Sequence, residues 1–220
     1  MRTAHELYDA YRIMPALQNH QLRVAAVGKF IAERSEKPVD EESIILAGLF
    51  HDMGNIIKFD LSYYPELLEP KGLEYWQGVK EDFTARYGKD HHKANTAIAR
   101  EIALPESVVA IIDMIGFSNV PKIVASGSPE LKIVEYADSR VGPFGVLPLE
   151  ERLADGRKRY LNRSKDSAYG IAAPKEEFER LMDAERELER QVIESSMIQS
   201  EDISDVAVAP LIEQLRKYAV

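Results

Sequence analysis

The chain carries five histidines, at positions 5, 20, 51, 91 and 92, and no cysteine. Without cysteine there is no thiolate ligand and no Cys nucleophile, so a metal must be held by imidazole or carboxylate, which selects hard or borderline divalent ions. His20 stands in the series Leu17, His20, Val24, Val27 and Ile31, whose steps of three and four place its imidazole on the inward stripe of a helix. A core histidine and a metal ligand both fit that position. His51 and Asp52 close the apolar run IILAGLF, so one helix would deliver an imidazole and a carboxylate at its last turn. Asp138 interrupts the stripe Leu131, Val134, Val141, and a carboxylate facing a core needs a cation, hydrogen bonds or a proton. An Arg-paired or N–H-bonded core aspartate is the plainer alternative. Two imidazoles and two carboxylates together would bring a divalent ion close to neutrality and leave room for water or a phosphate oxygen.

The elements that must position these residues read as helices. The 3.6-residue stripe predicts a helix over 15–34, and Asp40 is an N-cap candidate for a second helix from Ile44 to about Met53, which Gly54 can stop. Pro65, Pro70 and Gly72 mark 60–72 as an irregular connection. Further helices are predicted over 73–87, from an Asp90 cap to about 103, and from Pro105 to about 115, followed by a loop over 117–127. Ser128-Pro129-Glu130 is a strong helix start, a capping hydroxyl followed by a proline where no N–H is needed and an acid at the positive helix end. That helix should run to about Val141, before Gly142-Pro143. Helices over 149–162 and 174–197, a break over 163–174, and a short helix over 210–219 complete the pattern. No segment alternates with period two, so the expected fold is all-α, with a metal-binding helical domain over 1–165 and a C-terminal helical extension over 166–220.

Composition narrows the partners. Lys and Arg number 28 against 37 Asp and Glu, a net charge of −9, which disfavours nucleic acid or an anionic membrane as the main partner. The first 17 residues are charged throughout, without the apolar core of a signal peptide, and no run approaches a membrane span. The expected location is the cytoplasm.

His20, the doublet His51-Asp52 and Asp138, in that order on successive helices, resemble the H…HD…D signature of the HD-domain superfamily of metal-dependent phosphohydrolases. The contexts agree: NHQLRVAAVGKFIAE, LAGLFHDMGN, YGKDHHKANTAIAREIALPESVV and EYADSRVGPFGVLPLEERLADGRKRY. The resemblance covers about 15–162, with 60–90 the least family-like part, and implies an HD-type helical bundle. It also implies that His20, His51, Asp52 and Asp138 hold one divalent ion (Mn, Mg, Fe, Co, Ni or Zn), which activates water to attack a phosphorus centre. The implied reaction is hydrolysis of a small phosphate ester, nucleotides included. A non-catalytic module that binds metal or nucleotide in a regulatory role is the alternative, and a homo-oligomer is compatible with either.

Departures from the family pattern bear on the chemistry. Two-metal members add a histidine opening the next helix, matched best by His92 with His91 the near alternative, and a later one where this chain reads IIDMIG with only Asp113 as an oxygen ligand. One metal is therefore expected. Some members carry Glu or Lys three residues after the doublet's Asp; here that residue is Asn55, which cannot act as a general base, and Lys58 is the nearest substitute cation. The expected catalytic set is Asp52 to orient water, with Arg23 and His92 to neutralise phosphate charge. Arg23, one turn after His20, could equally pair with a carboxylate. Arg157-Lys158-Arg159 could line a phosphate entrance or form a solvated face. Tyr63, Tyr64, Tyr75 and Trp76 could stack on a base, although packing beneath a long connection is the simpler reading.

Overall fold

The computed structural model describes residues 2–161 and 175–220. Its helices are α1 (Ala4–Ala10), α2 (Pro15–Ala32), α3 (Glu41–Phe50), α4 (Gly72–Tyr87), α5 (His91–Glu101), α6 (Glu106–Met114), α7 (Val120–Ala125), α8 (Pro129–Arg140), α9 (Leu149–Leu161), α10 (Lys175–Glu194) and α11 (Asp205–Leu215). Short 3-10 turns fill Asn55–Lys58, Pro65–Leu68, Phe117–Asn119 and Ser200–Asp202. The fold is all-α; the described residues contain isolated bridges such as Thr3 to Ala219 but no strand. No single described helix is long and apolar enough to cross a membrane. The break over 163–174 and the boundary at 165 lie outside the described residues.

Local chemistry sets the helix starts. Asp40 accepts the Ser43 N–H to open α3, Asp90 accepts those of His92 and Lys93 to open α5, and Ser128 accepts that of Leu131 to open α8; each satisfies a donor that the first helical turn leaves free. Three elements depart from the sequence expectation. Residues 4–10 form α1 behind a Thr3–Glu6 capping box. Within the expected loop, 120–125 form α7, with Pro121 in its first turn, where a missing N–H costs nothing. The last helix begins at Asp205 behind a Ser204 cap and takes Pro210 into its interior.

The core is one large cluster to which α1 through α8, α10 and α11 contribute. Its centre is the contact of α2 with α3, with α8 packed across both. Small residues set the spacing: a Cβ on Gly48 would lie 2.6 Å from Ala25 Cα, and one on Gly28 would lie 2.8 Å from Ile44 Cγ2. These contacts leave no room for a methyl group, so α2 and α3 approach closely along the stretch that follows His20 in α2. The C-terminal part closes over this centre. Helix α10 lies along α7 and α8, with Tyr136 donating to Glu189 (2.7 Å), Lys132 to Gln191 (2.8 Å) and Ser139 to Glu185 (2.8 Å). Helix α11 packs on α2. Arg140, 2% exposed, donates to the carbonyls of Leu147, Ser200 and Ile203 and to the Tyr136 hydroxyl, tying the end of α8 to the C-terminal segment.

Candidate metal centre

The residues singled out by spacing meet in space. His20 comes from α2, His51 and Asp52 from the end of α3, and Asp138 from the last turn of α8. Asp138 Oδ1 lies 3.0 Å from His20 Nε2 and 3.6 Å from His51 Nε2, and Asp52 Oδ2 lies 3.7 Å from each of the same nitrogens. Ligand atoms of His20, His51 and Asp52 all fall within 4.8 Å of one another, the separation expected around a single ion with bonds of roughly 2.0–2.3 Å.

The backbone of α3 fixes the orientation of His51. Its Nδ1 is 2.9 Å from the Gly48 carbonyl, so we assign a proton to Nδ1 as donor, which points Nε2 toward the carboxylates. That Nε2 is buried and has no hydrogen-bond partner, an arrangement rare for a buried polar atom. Burial alone would depress the imidazole, but the charges of Asp52 and Asp138 outweigh it and raise His51 to about 9. Burial likewise opposes ionisation of Asp138, yet its contacts with His20 and His51 hold it well below the usual carboxylate range. Two carboxylates thus face a buried nitrogen that no hydrogen bond satisfies, and a cation at Nε2, a proton or a metal ion, answers both. The donor set, imidazole nitrogens and carboxylate oxygens, suits a divalent transition ion.

A buried polar frame holds the doublet. The Asp52 N–H donates to Gln21 Oε1 (3.1 Å), from the fully buried residue after His20. The Gly54 N–H donates to Asn95 Oδ1 (2.6 Å), and Asn95 Nδ2 donates to Asn55 Oδ1 (3.3 Å). A Cβ on Gly54 would lie 2.5 Å from Ala94 Cβ, so the turn after the doublet rests directly on α5. Gln21 and Asn95 escaped the sequence reading; their signal, an amide on an otherwise apolar helical face, is visible only once the apolar face is known.

The remaining candidates separate. Half-buried His91 is lowered to about 4, first by burial and then by the charges of Lys58 and His92, while Asp52 acts in the opposite sense. His92 is exposed, stacks on His91 (ring centroids 4.1 Å) and rests against Gly116, where a Cβ would stand 3.4 Å from its Cε1. Arg23 Nε faces Asp205 Oδ1 at 3.6 Å, the carboxylate partner that its position allowed. Asn55 is 1% exposed and belongs to the frame, whereas Asp113 is exposed. Arg157 pairs with Glu179 (2.7 Å), and the side chain of Arg159 lies outside the described residues. Trp76 is buried and donates to the Leu68 carbonyl (2.9 Å), a packing role, whereas Tyr63 is exposed.

Comparison with curated proteins and with solved structures finds no match. The family model described as HD domain matches residues 17–140. That span is more than half of the chain and runs from the first turns of α2 to the end of α8, enclosing all four converging side chains. The chain belongs to the HD-domain family.

Proposed function

We propose that the protein is a metal-dependent phosphohydrolase in which His20, His51, Asp52 and Asp138 hold one divalent ion, and that its substrate is a small phosphate ester, nucleotides included. The observation that carries this reading is the orphaned, buried His51 Nε2 facing two carboxylates. A bound divalent ion supplies Lewis-acid polarisation of a phosphoryl oxygen and lowers the pKa of water. The chain's own contributions follow from position. Asp52, 18% exposed at its side chain, reaches solvent and can accept a hydrogen bond from the attacking water. Lys58 supplies positive charge near Asp52 and His91, where phosphate oxygens gain from it, and His91, neutral when lowered to about 4, can offer a ring N–H at the start of α5. His92 and Arg23 complete the set, Arg23 after exchanging Asp205 for phosphate. We assign residues 1–165 to the metal-binding unit and 166–220 to a C-terminal extension, whose described helices α10 and α11 pack on α7, α8 and α2.

The rival reading, a module that binds metal or nucleotide without turnover, draws on Asn55, whose burial in the frame leaves no general base at that position. Metal analysis of the purified protein followed by a panel of nucleotides and sugar phosphates separates the two. Hydrolysis that needs the metal and falls on the order of 10²-fold or more in Asp52→Asn is the expected result. Tight binding without turnover in the metal-loaded protein favours the module.

A further inference from the structure

Tyr63 and Phe144 are 51% and 63% exposed, yet their rings are not isolated. Tyr63 meets Tyr64 edge to face (centroids 4.6 Å, 87°), and Tyr64 meets Phe144 in the same way (5.9 Å, 89°). Two stretches of chain join here. Tyr63 and Tyr64 lie on the segment leaving the His51-Asp52 doublet, and Phe144 lies on the turn leaving α8, six residues after Asp138. The helices that meet at the metal centre thus send out segments that meet again at this aromatic contact. The path from Asp52 to Tyr64, across to Phe144 and back to Asp138 is a closed circuit that begins and ends at the centre.

The turn bearing Phe144 is rigidly built. Val141 pairs with Val146, the Gly142 N–H donates to the Gly145 carbonyl (2.8 Å), and the Leu147 N–H donates to the Arg140 carbonyl (2.7 Å). Asp205 accepts the Val146 N–H (3.2 Å) while its other oxygen faces Arg23, one turn from His20. A Cβ on Gly145 would collide with the Asp205 carboxylate, so the turn sits directly on that residue. Phe144 is therefore held on the His20 side of the molecule. Six residues limit its distance from Asp138 to about 20 Å even for an extended chain, and the turn keeps it inside that limit.

Resting on the phosphohydrolase reading, we propose that Tyr63, Tyr64 and Phe144 form a stacking subsite for a planar ring, a nucleobase or an aryl group, borne by the alcohol portion of the phosphate ester. The charge distribution supports this occupant. Lys58 and an ion held by the four ligands would engage an anionic head, while the aromatic side offers uncharged ring faces and edges to a tail. Exposed rings supplied by two separate loops are placed to receive such a tail, because stacking on aromatic side chains tolerates any planar heterocycle.

The test uses the full chain loaded with Mn²⁺ and three esters: adenosine 5′-monophosphate, phenyl phosphate and ribose 5-phosphate. Phe144→Leu keeps apolar bulk and removes the ring; Tyr63→Ala is the second variant, and Phe144→Trp the conservative one. Both ring-removing variants should lower kcat/KM about 10-fold for the ring-bearing esters, the range of one lost stack, and leave ribose 5-phosphate within twofold. Phe144→Trp should retain the preference. A loss confined to the adenosine ester assigns the subsite to nucleobases, and a loss shared with phenyl phosphate extends it to aryl groups. Equal effects on all three esters, or no preference in the parent protein, overturn the proposal. If none of the esters is turned over, the phosphohydrolase reading fails, and equilibrium dialysis of the same esters then decides the subsite. Tighter binding of ring-bearing esters, lost in Phe144→Leu, upholds it; equal or absent binding overturns it.

Discussion

His51 shows how little separates a proton site from a metal site. Its Nδ1 is committed to the Gly48 carbonyl and its Nε2 is buried against two carboxylates, so proton and metal compete for one lone pair. With His51 raised to about 9, the metal-free nitrogen is protonated below that pH, and binding an ion there must release the proton. The apparent affinity for Mn²⁺ or Zn²⁺ should accordingly rise about tenfold per pH unit from 6.5 toward 9 and then level, as read by calorimetry in buffers of different ionisation enthalpy. A flat profile would show that His51 does not ligate. The frame beneath the doublet yields a second expectation. Gly54→Ala drives a methyl group against Ala94 and Asn95, and overpacking of this kind costs about 1–3 kcal/mol, measurable by chemical denaturation. At this scale the sequence was most informative: His20, His51, Asp52 and Asp138 stand out because a polar residue on an apolar stripe is conspicuous. Gln21 and Asn95 were not legible, because a buried amide announces itself only through the partner it faces.

Among the elements, α10 connects most directly to the site, since Glu185 accepts the Ser139 hydroxyl beside Asp138. Glu185 and Glu135 are each 1% exposed, and the second Glu185 oxygen has no partner. Burial raises Glu185, the Ser139 hydroxyl pulls it back, and the Asp138 charge adds to the rise, leaving it at about 8. An acid lifted from 4.5 in the unfolded chain to about 8 in the folded one binds more protons when folded between those values. Stability must therefore fall as pH rises from about 4.5 to 8. Glu185→Gln cannot ionise, so in chelator-treated protein its Tm should match the parent near pH 5 and exceed it by several degrees near pH 8.5. Parallel Tm curves would assign the pH dependence to other groups. Helix types were legible from caps and periodicity, but α7 and the start of α11 were not. Pro121 and Pro210 read locally as loop and helix start, while packing of α7 on α10 and of α11 on α2 determines the outcome.

For the whole molecule, the candidate metal centre joins parts of the chain that are far apart in sequence: residue 20 on α2, residues 51 and 52 after α3, and residue 138 on α8. Those three helices form the heart of the core, so an ion held there would act as a cross-link between them. Binding to the native state alone stabilises by RT ln(1 + [L]/Kd), about 2.7 kcal/mol at a hundredfold excess over Kd, which for a chain of this size corresponds to several degrees in Tm. Adding Mn²⁺, Fe²⁺, Co²⁺, Ni²⁺ or Zn²⁺ to chelator-treated protein should therefore raise Tm, saturating at one ion per chain, and renewed chelation should reverse the shift. Asp138→Asn should abolish most of the gain because it removes the carboxylate that faces both imidazoles. Phe144→Leu, on an exposed turn outside the ligand set, should retain it. A Tm indifferent to every one of these ions would leave the four side chains as a purely structural hydrogen-bonded cluster. Saturation at two ions per chain would instead bring His91 and His92 into the coordination, because they are the imidazoles outside the four-ligand set at the start of α5, where His91 feels the charge of Asp52.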